Sequence, residues 1–150
     1  MLLIPSLSWG ADSEKGLTAY NQGDYSTALK EWTPLAEQGN ASAQSNLGLM
    51  YEKGYGVVQN YKTAVKWYTL AAEQGHAKAQ SNLGVMYQNG EGVIQDNIYA
   101  HMWFNIAASS GDSINAAENR TKIEKNMTTA DISKAQELAR QCVNKNYKDC

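Results

Sequence analysis

The chain has 150 residues, 43% of them hydrophobic and 19% charged, and a net charge of -2. That is the length of one ordinary domain, since two independent cores would each be too small to bury much surface. A mean hydropathy of -0.53 and the lack of an apolar run near twenty residues exclude a membrane-spanning helix. With 13 basic against 15 acidic side chains there is no cationic excess to displace phosphate counterions, so nucleic acid is not an expected partner.

Large aliphatics are scarce, whereas tyrosines number nine and tryptophans four beside abundant alanine. Such a core must set small residues against aromatic rings, which suits closely packed helices. The chain opens with an apolar stretch, Met1 to Ala11, that ends in small residues without a basic start. It reads either as the latter part of a secretory leader cut after Ala11 or as an apolar tail. The first reading implies a periplasmic or secreted protein and the second leaves a cytoplasmic one open.

The first predicted hairpin covers about 13–39, with Ala19, Tyr20, Gly23 and Tyr25 leading into Ala28, Trp32 and Leu35. Pro34 falls inside its second helix, where a missing N–H and a ring clash predict a kink or an early end. The second hairpin, 41–75, carries Ala43, Leu47 and Tyr51 as one apolar stripe, with Gly48 where another backbone can come close. Gly54 and Gly56 break that helix, Asn60 is placed to cap the next one, and Ala64, Trp67, Tyr68 and Ala71 form its inner face.

The third hairpin, 77–111, repeats the second at an offset of 36. Ala-x-Ala-Gln-Ser-Asn-Leu-Gly stands at 41–48 and again at 77–84, and half of the positions of 41–76 are identical in 77–112. A fixed period of this size marks a stacked-repeat architecture. Trp32, Tyr68 and Phe104 fall in one 36-residue series, so one core slot stays aromatic. Gly39, Gly75 and Gly111 are read as helix stops. Residues 112–150 form a C-terminal helical cap, with Ile114, Ala117 and Thr121 on its first helix. Thr128 opens its second, whose buried stripe is Ile132, Ala135, Leu138, Ala139 and Cys142.

Cys142 and Cys150 are the only cysteines. They lack the ligand spacing of a metal site. In an oxidising compartment they would pair and fold the tail back onto the last helix, a closure contributing about 2.5 kcal/mol. Otherwise Cys142 is buried and Cys150 free.

The strings Ala-x-Ala-Gln-x-Asn-Leu-Gly-x-x-Tyr-x-x-Gly-x-Gly-Val, then Ala-x-x-Trp and Ala-Ala-x-x-Gly, resemble the Sel-one-like repeat family, relatives of the tetratricopeptide repeats with a longer inter-helix loop. The resemblance spans roughly 13–145. It implies an all-α, right-handed α-solenoid whose first helices line a concave face, and a role as adaptor or scaffold for other proteins, often in bacterial envelope or signalling assemblies. Some secreted members bind or hydrolyse β-lactams, but their repeats carry internal cysteine pairs that are lacking here.

Neither Ser-x-x-Lys nor Gly-x-Ser-x-Gly occurs, and His76 and His101, the only histidines, have no nucleophile or metal-ligand pattern beside them. No catalytic residue, metal site or cofactor is expected. The aromatic residues sit at core spacing, except Tyr55, whose loop position suggests an exposed ring.

The expected recognition surface comprises Asn46, Leu49, Met50 and Lys53 on one first helix and Asn82, Val85, Met86 and Asn89 on the next. Asn46 and Asn82 match an asparagine that, in related tetratricopeptide folds, bonds the backbone of a bound peptide; an amide both donates and accepts. Leu49, Val85 and the methionines would supply adaptable apolar contact. The alternative is that both asparagines bond within the hairpin. Function then reads as a protein-interaction module for a protein or peptide partner, with a β-lactam-handling protein or a purely structural spacer as alternatives.

Overall fold

A computed structural model describes residues 11–110 and 114–150. Of the expected leader only Ala11 falls within them, and Gly111 lies outside them. The described residues form eight helices and no strand: α1 Ser13–Asn21, α2 Tyr25–Glu37, α3 Ala41–Lys53, α4 Tyr61–Ala72, α5 Ala77–Asn89, α6 Asn97–Ser109, α7 Ile114–Glu124 and α8 Thr129–Asn144. The architecture is an α-solenoid: α1 packs on α2, α3 on α4 and α5 on α6, while α2 meets α3 and α4 meets α5 to join the hairpins.

Short polar side chains start these helices by accepting the N–H groups that have no partner in the first turn. Asn40 accepts from Ala43 at 2.9 Å, Asn60 from Thr63 at 3.0 Å, Asp96 from Ile98 at 2.8 Å and Thr128 from Asp131 at 3.1 Å. His76 takes the same role for α5, its Nδ1 accepting from Ala79 at 3.3 Å. At the other end, Gly39 sits at φ 97°. The following Asn40 N–H then returns to Leu35 O at 3.0 Å, the arrangement that satisfies the last carbonyls of a helix. Pro34 does not shorten α2, whose 13 residues equal the length of α6.

Each hairpin is closed by a glycine against an aromatic ring. A methyl carbon on Gly16, Gly48 or Gly84 would lie 2.4, 2.5 or 2.5 Å from the ring of Trp32, Tyr68 or Phe104. The close approach expected at Gly48 is therefore made by a side chain rather than by another backbone. The three rings are fully buried, as the 36-residue series predicted. Between hairpins, Gln44 donates to Ala36 O at 3.0 Å and Gln80 to Ala72 O at 3.1 Å, both buried. These amides satisfy carbonyls at the C-terminal ends of α2 and α4 and so tie each hairpin to the next.

The C-terminal part departs from the repeat. Helix α7 packs on α6, and α8 also packs on α6. With neighbours on three sides, α6 buries residues all around its circumference: Ala100, His101, Met102, Trp103, Phe104, Ile106 and Ala107. The equivalent of Ile106 one repeat earlier is Leu70, which remains 45% exposed. Of the stripe expected on α8, Ala135, Ala139 and Cys142 are buried, whereas Ile132 and Leu138 are half-buried. On α7 the buried residues are Ala116 and Ile123, whereas Thr121 is exposed. The inner stripe there lies one position away from the expected one, with Ile123 joining Ala100 and Phe104 of α6.

Cys142 and Cys150 are joined by a disulfide. The tail it closes brings the Tyr147 ring to the end of α4, where a methyl carbon on Gly75 would stand 3.2 Å from Tyr147 Cε2. No helix of the described residues is long and apolar enough to cross a membrane.

Candidate functional site

On α3 the positions 46, 49 and 53 succeed one another at steps of three and four and therefore share one face. Asn46 and Leu49 are half-buried and Lys53 is exposed. On α5 the matching set is Asn82 and Val85, half-buried, and Asn89, exposed. The row continues on α1 with Glu14 and with Leu17, which is 51% exposed. Apolar side chains thus stand on successive first helices, each flanked by amides or charges.

Met50 and Met86 do not belong to this surface. Both are completely buried. The inner stripe runs Ala43, Leu47, Met50, because a step of three after Leu47 stays closer to the 3.6-residue period than a second step of four. Tyr51, expected innermost, is turned half out. Tyr55 also differs from expectation: its ring is half-buried and stacks on Tyr25 at 4.6 Å between centroids, with Tyr20 at 6.1 Å. The loop that carries it leans on the start of α2, where a methyl carbon on Gly56 would lie 2.9 Å from Tyr25 Cβ.

A polar network underlies the middle of the row. The Tyr68 hydroxyl, reaching between the hairpins from α4, donates to Glu52 Oε2 at 2.7 Å. Glu52 in turn pairs with Lys53 at 2.6 Å. Burial, reinforced by the neighbouring Glu52 carboxylate, pushes the Tyr68 hydroxyl far above the ordinary tyrosine range. Asn82, on α5, acts on the same hydroxyl in the opposite sense, favouring its ionisation. The bond to Glu52 raises the Lys53 ammonium, with Glu91 adding to the effect. Glu52 and the Tyr68 hydroxyl were not singled out in the sequence. The signal was there, because Tyr68 is the only member of the Trp32, Tyr68, Phe104 series with a hydroxyl.

The histidines have structural surroundings. His101 is wholly buried and its Nε2 lies 2.7 Å from Glu124 Oε1, joining α6 to α7. His76 caps α5. Among the described residues no group of three or more His, Cys, Asp or Glu is arranged to hold a metal ion.

Comparison with known proteins bears on this arrangement of repeats. The family model for the Sel1 repeat matches residues 41–76 and 77–112. The chain is a Sel1-repeat protein. Its structure is similar to that of a protective antigen present in uropathogenic Escherichia coli strains and displaying an SLR fold, with a TM-score of 0.84 and 29% identity over 90% of this chain and 30% of that one. It is also similar to a Sel1 repeat protein from Oxalobacter formigenes, at a TM-score of 0.69 and 35% identity over 73% of this chain and 44% of the other. The Sel1-repeat chain thus spans less than half the length of either. No curated protein matches it.

Proposed function

We propose that this Sel1-repeat chain is a non-enzymatic interaction module that holds a polypeptide segment across the first-helix faces of α3 and α5. Sel1-repeat proteins are in general interaction scaffolds, which supports the class of function. The observation that carries the site is the recurrence, 36 residues apart, of a half-buried aliphatic, Leu49 or Val85, set between an amide and an exposed polar residue. Leu49 and Val85 offer apolar contact, Lys53 a charge, and Asn46 a donor and an acceptor for a peptide unit. A surface of this extent fits a modest interface of the transient kind. The Cys142–Cys150 disulfide favours a compartment outside the reducing cytosol, periplasmic or secreted.

The test uses a partner identified by cross-linking in the native host and then purified. Leu49→Glu combined with Val85→Glu, shown by thermal melting to be folded, weakens that partner's Kd by tenfold or more. Unchanged affinity rejects the surface. Asn46→Ala separates the amide's contribution from that of the apolar pair.

A further inference from the structure

A second concavity lies away from this surface. On α5, Tyr87 stands two residues beyond Val85 and so points to roughly the opposite side of the helix. There Tyr87, Trp103 of α6 and Tyr147 of the tail line a cavity of about 190 Å³ together with Glu73, which follows α4, Asp149 and Cys150. Trp103 is 3% exposed, and Tyr87 and Tyr147 are half-buried. Three aromatic side chains therefore border one small space, with two carboxylates beside them.

The faces of aromatic rings carry negative charge, so such a lining attracts a cation, most strongly where water is thinned out. The carboxylates act in the same sense. Neither is neutralised internally: among the described residues the ion pairs are Lys15–Glu31, Lys53–Glu52, His101–Glu124 and Arg140–Glu137. Asp149 also borders the adjacent concavity that Lys145 lines, without pairing with it. The volume is below the roughly 300 Å³ at which drug-sized ligand pockets begin. It suits a single ammonium head group.

The tail that completes the cavity is held in a costly conformation. Asn146, Tyr147 and Asp149 all have positive φ, at 52°, 64° and 52°, values that residues other than glycine seldom adopt. The disulfide and the Tyr147 N–H bond to Cys142 O at 2.9 Å maintain it. The outcome is that Tyr147 and Asp149 both border the cavity.

We propose that the space between α4, α5, α6 and the disulfide-held tail is a binding site for an organic ammonium ion, either a free quaternary amine or a methylated lysine side chain. The site is independent of the polypeptide-binding surface on α3 and α5.

The experiment titrates the oxidised, isotope-labelled full chain with choline while following the Trp103 indole resonance, assigned through Trp103→Phe. Choline shifts that resonance saturably at millimolar concentration, and its neutral carbon isostere, 3,3-dimethylbutan-1-ol, does not. Tyr147→Leu and Asp149→Asn each weaken choline binding about tenfold while the resonances of α1 to α3 stay in place. A short peptide with one trimethyllysine distinguishes the two sources: saturation by the peptide assigns the site to a protein side chain, and saturation by choline alone to a free amine. Equal shifts with the neutral isostere, no saturable shift with either cation, or variants that titrate like the wild type would overturn the proposal. Because the assay needs no polypeptide partner, its failure would leave the α3 and α5 surface standing.

Discussion

The ring of Tyr68 occupies the space that a methyl group on Gly48 would need, with two ring carbons 2.5 Å from that position. In an exposed helix, alanine in place of glycine would stabilise by up to about 1 kcal/mol. Here the clash decides the sign. A buried, well-packed ring has little room to retreat, so Gly48→Ala lowers the free energy of unfolding by about 1–3 kcal/mol. Urea titration checks this, and a variant as stable as the wild type or more so would show that the hairpin is more loosely packed than described.

Gln80 is almost wholly buried and donates to Ala72 O. Gln80→Leu keeps the bulk but removes this bond between hairpins, leaving Ala72 O with the Gly75 N–H alone, at a cost of about 0.5–1.5 kcal/mol. The loss appears as a lower urea midpoint with an unchanged slope, since the surface exposed on unfolding is the same.

The Tyr68 hydroxyl remains protonated in the folded chain well beyond the pH at which a free tyrosine ionises. Above about pH 10 the unfolded chain releases this proton while the folded one keeps it. The folded state then holds more protons, and stability falls as pH rises. Tyr20 and Tyr87, raised chiefly by burial, act in the same sense. Tyr68→Phe lowers stability at neutral pH by about 1 kcal/mol through loss of the Glu52 bond and makes the decline above pH 10 shallower. Denaturant titrations at pH 8 to 11 measure both effects.

Opening the Cys142–Cys150 bond frees the tail that reaches the end of α4. Cys142→Ser with Cys150→Ser, or reduction, lowers stability by about 2.5 kcal/mol. Hydrogen exchange then rises at the end of α4 and at 145–150, while α1 and α2 keep their protection. Faster exchange throughout the chain would contradict a local clasp.

The repeat made much of this fold legible. A 36-residue offset, cap residues at Asn60 and Asp96, and the aromatic series at 32, 68 and 104 follow from local chemistry and periodicity. What periodicity alone could not place was the fine rotation of each helix. Steps of three and four alternate, so Met50 and Tyr51 compete for the inner position, and the preceding hairpin, where Met50 joins the cluster of Ala28 and Trp32, decides between them. The route of α8 was hidden for a similar reason. Its amphipathic stripe shows that it must cover something, but the clue to what it covers lies on α6, where Met102 and Ile106 stand in place of Lys66 and Leu70. The link from Glu52 to the Tyr68 hydroxyl joins residues 16 apart in sequence, with no motif to announce it.

Hydrogen exchange of the chain with and without its purified polypeptide partner tests the central claim most directly. Binding at the first-helix surface predicts slowed exchange in α3 and α5, centred on residues 46–53 and 82–89, with α2 and α4 unaffected. Protection confined to α2, α4 or α8, or no change in α3 and α5 at saturating partner, would contradict it.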